Sequence, residues 1–279
     1  MSAEGVLSAE AGGVSPEWLV LREPADAAAR SAALARRLGR QLPATGLLVI
    51  HDLGGGTGAM ARWLAPRLPG PQHWVIHDRD TDLLDLAVAD PPVAAGDGAA
   101  VTVEARPSEL TVLSPGDLAD ASLVVASALL DMLTADELCA MLGACTEIGC
   151  PILLALTVVG GVALTPADPL DAPVTAAFNA HQRRTTAAGR LLGPDAVAAA
   201  VEALRGTGAE VLVRPSPWRL DAAHAGLTAA WLDGWVAAAC EHEPALAGEA
   251  GAYRDRRLAQ AAAGELAVTV DHADLLVLP

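Results

Sequence analysis

Aromatic side chains are scarce in this chain: phenylalanine and tyrosine occur once each, and aromatics make up 3% of its 279 residues. A core for it must be built chiefly from alanine, leucine and valine, with six tryptophans carrying most of the aromatic area. Cysteine is also sparse. Cys139, Cys145, Cys150 and Cys240 form no C-x-x-C pair and have no histidine at zinc spacing beside them, which argues against a zinc site and any other metal centre. Buried free thiols in a reducing cytosol are the expectation. Basic side chains number 18 against 34 acidic ones, for a net charge of −16. A surface of that sign repels phosphate backbones, so no nucleic-acid partner is expected. The longest apolar run, Ile152 to Leu164, is broken by Gly160-Gly161 and is too short for a bilayer. The opening MSAEGVLSAEAGG has neither a basic start nor an apolar stretch, unlike a signal peptide. No internal repeat or long linker is visible. The expectation is one cytoplasmic domain over 1–279, with a flexible leader over 1–20 and a helical lid formed by the N-terminal helix and a lid or acceptor-binding insertion over 160–190.

What is present is an alternation of strand and helix signals. Apolar spacing at Ala29, Ala33, Leu34 and Leu38 predicts a helix over Asp26–Leu42. Strands are predicted over Leu47–Ile50, His73–His77, Ala100–Ala105, Ala121–Ser127 and Pro151–Val159. Helices are predicted between them over Thr57–Leu68, Asp82–Ala89 and Thr134–Ile148, the last with Thr134 and Glu137 in capping-box spacing. Gly160–Arg190 reads as irregular, with Pro166, Pro169 and Pro173 early and an amphipathic piece over Val174–Arg184. Helices from Pro194, from Ala222 and up to Ala263 follow, with strands over Glu210–Arg214 and Leu266–Leu278, the latter kinked near Asp271-His272. Such alternation means a doubly wound, Rossmann-like α/β sheet of about seven mostly parallel strands. Ligands of such sheets bind at the carboxyl ends of the strands.

The stretch Leu47 to Trp63, LLVIHDLGGGTGAMARW, is the most telling. An apolar run ends in Asp52, turns through Gly54, Gly56 and Gly58, and becomes helical at Ala59. The glycines permit positive φ and close approach of a ligand to the backbone. The following helix start suits a carboxylate, and Asp52 suits an ammonium group. Asp78, ending the second strand, is placed to accept hydrogen bonds from ribose hydroxyls, with Asp80 as the fallback or a helix cap. An adenosine bearing an amino-acid tail and no diphosphate fits, as in S-adenosylmethionine. Gly54-x-Gly56-x-x-Ala59 also satisfies a dinucleotide fingerprint, so an NAD(P)-dependent oxidoreductase is an alternative. Asp52 would set negative charge beside its diphosphate.

With DLGGGTG at Asp52–Gly58, HD at His77-Asp78 and VVASALLDML at Val124–Leu133, the chain resembles the class I S-adenosylmethionine-dependent methyltransferases. The resemblance covers Arg22 to Val159 and implies an antiparallel last strand. It implies that Asp52, Gly54 and Gly56 hold the methionine end, Asp78 the ribose, and Arg106, Pro107 and Ser108 the adenine. The acidic residue often found in that adenine loop is absent here. Ser127, Ala128 and Leu129 would lie beside the transferred methyl group, with Asp131 as a candidate base or a solvated helix-starting acid. His181 is a second candidate base or a solvated helix residue. Arg22 and Arg30 are candidates to close over the cofactor, and His272 reads as structural. Trp231 and Trp235, four apart on one helix, line a substrate pocket or anchor the core. The function implied is methyl transfer to a small-molecule acceptor. A scaffold protein that binds S-adenosylmethionine without catalysis keeps the same cofactor residues.

Overall fold

The computed structural model describes residues 14–43, 45–110 and 113–279. Most of the expected leader lies outside the described residues. Its last part does not behave as a leader, because Ser15 caps a helix that begins at Pro16 and buries Trp18. In chain order the elements are α1 (Pro16–Ala29), α2 (Ala32–Gly39), β1 (Leu48–Leu53), α3 (Ala59–Leu64), β2 (Gln72–Asp78), α4 (Thr81–Ala89), β3 (Val101–Pro107), β4 (Leu123–Ser127) and α5 (Ala135–Ile148). There follow β5 (Ile152–Thr165), α6 (Asp171–Gln182), a hairpin of β6 (Thr185–Thr186) and β7 (Gly189–Arg190), and α7 (Ala196–Ala203). The chain ends with β8 (Glu210–Pro215), β9 (Trp218–Leu220), α8 (Ala225–His242), α9 (Ala247–Ala262) and β10 (Ala267–Leu278).

The main sheet runs β3-β2-β1-β4-β5-β10-β8, with β9 pairing β10. Strands β1 to β5 are parallel, and β10 lies antiparallel between β5 and β8. Strand order reverses between β1 and β4, so the ends of these two strands form the switch point. On one face Leu48, Ile50 and Trp74 pack against Leu34 and Leu38 of α2 and Met60, Trp63 and Leu64 of α3. On the other, Val124, Ala126 and Leu154 pack against Leu138, Met141 and Leu142 of α5 and Ala200 of α7. The capping box at Thr134 and Glu137 is present.

Two expectations are corrected. The helix over Asp26–Leu42 is two helices. Arg30 adopts an extended ψ of 139°, and the Ser31 side chain accepts from Leu34 N to start α2. Apolar spacing continues through that break and so conceals it. The stretch Gly160–Arg190 is more regular than expected: β5 continues to Thr165, the amphipathic piece over Val174–Arg184 corresponds to α6, which starts at Asp171, and the hairpin follows. Gly160 and Gly161 serve the strand rather than ending it. A Cβ on Gly161 would run into the Asp271 side chain of β10, so glycine lets the two strands lie together without displacing that carboxylate. The kink in the last strand is where it was expected, as a register shift between Val270 and His272.

The long ends of β5 and β10, with β9, carry a second core. Trp18, Trp218, Trp231, Trp235, Tyr253, Val268 and Val270 pack here under α1, α6, α8 and α9. Trp231 and Trp235 are buried and stacked with centroids 4.8 Å apart, which makes them core anchors. Among the described residues no helix is long and apolar enough to cross a membrane.

Candidate active site at the switch point

Asp52 follows Leu48 and Ile50 on one face of β1, as period-two alternation requires. It is therefore carried into the core, with no exposure to water and no hydrogen-bond partner for either carboxylate oxygen. Burial pushes its pKa up to about 7; Arg30 opposes the rise and Asp78 adds to it. The turn that follows uses left-handed backbone at Gly54 (φ 66°), Gly56 (φ 52°) and Gly58 (φ 79°). Gly55 is required for a different reason: a Cβ there would lie 2.8 Å from the Asp52 carboxyl carbon. Helix α3 has only six residues. It offers little of the dipole expected to receive a ligand carboxylate.

The positive charge comes from Arg30, in the break between α1 and α2. Its guanidinium is buried and lies 5.7 Å from the Trp63 ring centroid. Nη2 donates to Ser127 Oγ at 3.1 Å, whereas Nε and Nη1 are buried without a partner. Burial lowers its pKa, against the pull of Asp26, Asp52 and Asp274. The ends of β1 and β4 thus present a carboxylate with bare oxygens and a guanidinium with bare nitrogens. An arginine on a surface helix would be solvated; the break at Ser31 turns this one inward.

Asp78 ends β2, and both its oxygens hold backbone: Oδ2 accepts from Gly56 N at 2.9 Å and Oδ1 from Asp80 N at 3.0 Å. Each oxygen keeps a further lone pair for a hydroxyl donor. Asp80 is the cap of α4, accepting from Asp82 N and Leu83 N. Side chains of Leu19, Leu110 and Leu129 lie against the turn, within 3.4 Å of where a Cβ would stand on Gly56 or Gly54.

The other sequence candidates divide. Ser108 joins the site, its N–H donating to Asp78 O at 2.9 Å. Pro107 pairs with Asp78 across β3 and β2. Arg106 turns back along its own strand, bonding Glu104 at 2.6 Å. Asp131 sits in a 3-10 turn after β4, its pKa raised by burial and held back by nearby Arg22. His181 does not join these residues. Its Nε2 lies 3.0 Å from Glu241 of α8, in a contact between α6 and α8. This corrects the expectation of a base in a lid, because α6 is packed on α8 rather than free to fold over the strand ends. Arg22 is bound to Asp26 at 2.9 Å and lies over Trp218 at 5.1 Å, so it faces the tryptophan core. His272 bonds Val270 O and rests on Trp218, with its pKa lowered to about 4 by burial, as a structural histidine does. Asp26 and Asp274, not among the site candidates read from the sequence, are buried acids that hold α1 and α2 in place. Only their long-range contacts mark them out. Among the described residues no group of three or more His, Cys, Asp and Glu side chains is placed to hold a metal ion.

No protein-family model matches the chain. No curated protein matches it either. Solved structures do resemble it. A SAM-dependent methyltransferase from Thiobacillus denitrificans, in complex with S-adenosyl-L-homocysteine, is similar over 96% of this chain and 99% of its own, with 15% identity and a TM-score of 0.45. A protein from Anaeromyxobacter dehalogenans, assigned provisionally to the type II methyltransferases, is similar over 89% of this chain and 96% of its own, with 17% identity and a TM-score of 0.51. At these identities the likeness is one of architecture, and this chain has the Rossmann-like α/β fold of the Anaeromyxobacter protein.

Proposed function

We propose that the chain is an S-adenosylmethionine-dependent methyltransferase acting on a small-molecule acceptor. One observation carries this reading: opposite charges with bare polar atoms are buried together at the switch point. An unpaired buried carboxylate and an under-bonded buried guanidinium are each costly. A zwitterionic amino-acid group relieves both, its ammonium going to Asp52 and its carboxylate to Arg30 and Ser127. Gly54 and Gly56 give the backbone room, and Asp78 takes the ribose hydroxyls. When bound, S-adenosylmethionine supplies a methyl group made electrophilic by its sulfonium charge, ready for in-line displacement.

The protein's own part is alignment and the exclusion of water. Positioning of this kind contributes roughly 7–11 kcal/mol to such reactions. Asp131, desolvated and past the end of β4, orients the acceptor nucleophile or takes its proton, and its raised pKa makes it a stronger base than a solvated aspartate. The dinucleotide alternative is disfavoured by the same observation, since a diphosphate would stand beside an unpaired Asp52. The scaffold alternative retains every cofactor residue and differs only in transfer.

Calorimetry with S-adenosylmethionine, S-adenosylhomocysteine and NADH tests the first step. The two sulfur nucleosides bind, NADH does not, and Gly56→Val, Asp78→Ala and Arg30→Ala each weaken binding at least about tenfold. Unaltered affinity in all three variants, or binding of NADH alone, overturns the reading. Transfer of a radiolabelled methyl group to a metabolite extract separates an enzyme from a scaffold.

A further inference from the structure

A second buried polar run crosses the sheet beside the glycine turn, and the proposed chemistry does not use it. His51 of β1 and His77 of β2 are both fully buried, on the face opposite Asp52 and Asp78. Their rings stack at 5.1 Å. His51 Nε2 lies 3.0 Å from Asp120 Oδ1, and His51 Nδ1 lies 2.9 Å from His77 Nε2. His77 Nδ1 lies 3.0 Å from Ser108 Oγ. Four residues from four segments thus form one hydrogen-bonded chain, from exposed Asp120 to the loop after β3.

The direction of that chain follows from its ends. An ionised carboxylate only accepts, so His51 must carry its proton on Nε2. A neutral His51 then accepts at Nδ1, and His77 must donate from Nε2. His77 Nδ1 is left as an acceptor, and the Ser108 hydroxyl supplies its proton. Burial lowers the pKa of both imidazoles, that of His77 to about 4, so both rings are neutral at pH 7. The competing arrangement, with Ser108 donating to Arg106 O at 3.3 Å, would reverse every bond and set a bare His51 nitrogen against the Asp120 carboxylate. The hydroxyl of Ser108 therefore spends its proton inward and offers lone pairs outward.

Strand order says what meets those lone pairs. With the tail at the ends of β1 and β4 and the ribose at Asp78 of β2, the base lies towards β3, and Ser108 is half-buried there, bonded to Asp78 through its own backbone. We infer that Asp120, His51 and His77 act as positioning residues that make Ser108 Oγ an acceptor for the exocyclic amino group of the base. The site thus takes a 6-aminopurine nucleoside and discriminates against its 6-oxo counterpart. This inference rests on the nucleoside reading above. An amino group donates to Ser108, whereas a carbonyl oxygen opposes its lone pairs.

The test uses the whole chain and two probes, S-adenosylhomocysteine and S-inosylhomocysteine. The unmodified protein prefers the adenosyl compound by at least about tenfold. Ser108→Ala cuts the preference to within about threefold while circular dichroism shows the fold unchanged, and Asp120→Asn, whose amide can serve either direction, gives an intermediate value. Independently, nitrogen-15 spectra show both buried rings protonated on Nε2. Adenosyl binding with a preference that Ser108→Ala leaves intact overturns this inference alone, as do rings protonated on Nδ1. Failure of both probes to bind the unmodified chain overturns the cofactor reading, and this inference with it.

Discussion

Asp52 sets the chemistry of the site through its burial. Its folded pKa of about 7 stands above the value near 3.9 of an unfolded aspartate. Between those values the folded chain holds a proton that the unfolded chain has released. The contribution of Asp52 to stability is therefore full below about pH 4 and is lost as pH rises through about 7. His77 and His272, both held near pKa 4 by burial, add a slope of the opposite sign between about pH 4 and 6.5. The difference between the unmodified chain and Asp52→Asn isolates the acid. That variant gains stability relative to the unmodified chain as pH rises from 4 to 8 in thermal melts, and it binds S-adenosylmethionine more weakly. An ammonium beside Asp52 favours the carboxylate, so binding near pH 6.5 releases a proton, which calorimetry in buffers of different ionisation enthalpy measures. A flat stability difference across that range overturns this account. The acid-and-glycine pattern was legible in the sequence because its spacing is local. The guanidinium that complements it was not, because whether Arg30 is solvated or buried depends on Ser127, 97 positions away.

Elements joined by local signals were legible, and elements joined by distant partners were not. Helix α5 announces itself through Thr134 and Glu137, and β1 to β4 through apolar runs bounded by turns. The far half of β5 contains Gly160-Gly161, which reads as a breaker until β10 is laid beside it. Asp274 is the residue that makes this ribbon and the α1–α2 break mutually dependent. It lies in a register shift between Ala273 and Leu275 of β10. Its buried carboxylate accepts from Leu156 N at 2.8 Å, where φ is 56°, and from Ser31 N at 2.7 Å. Ser31 follows Arg30, so Asp274 fixes the point at which that guanidinium turns inward. Asp274→Ala leaves one buried and one half-buried amide without an acceptor, and the expected loss is roughly 2–5 kcal/mol of unfolding free energy in urea. Cofactor affinity falls as well, because the break that turns Arg30 inward loses its anchor. Asp274→Asn, which retains an acceptor oxygen, loses less of both. A loss under about 1 kcal/mol for the alanine variant would overturn the assigned role.

Across the whole molecule, two cores meet at α1. Strand order follows from the βαβ alternation, since right-handed crossovers leave few ways to lay out β1 to β5. The cap of tryptophans has no comparable signature, because its pieces come from both ends of the chain and only pairing with β10 assembles them. Helix α1 faces both cores. Trp18 packs on Trp218 at 6.3 Å, Asp26 accepts from the Trp218 indole at 2.8 Å, and Leu19 lies on Gly56. A nucleoside whose ribose reaches Asp78 must pass the turn that Leu19, Leu110 and Leu129 cover, so those side chains move for it to bind. On the proposed binding mode α1 is the gate, and its anchor in the tryptophan core limits how far the helix can open. Leu19 is half-buried, so Leu19→Ala removes the gate at little cost in global stability. Stopped-flow measurement of S-adenosylhomocysteine should show both association and dissociation several-fold faster in this variant, with a nearly unchanged thermal midpoint. Trp218→Phe, which frees Asp26 from the indole, should loosen the same helix from its other side and raise amide exchange in α1 without raising it in β1. Unaltered rates in Leu19→Ala would overturn the assignment of Leu19 as the gate.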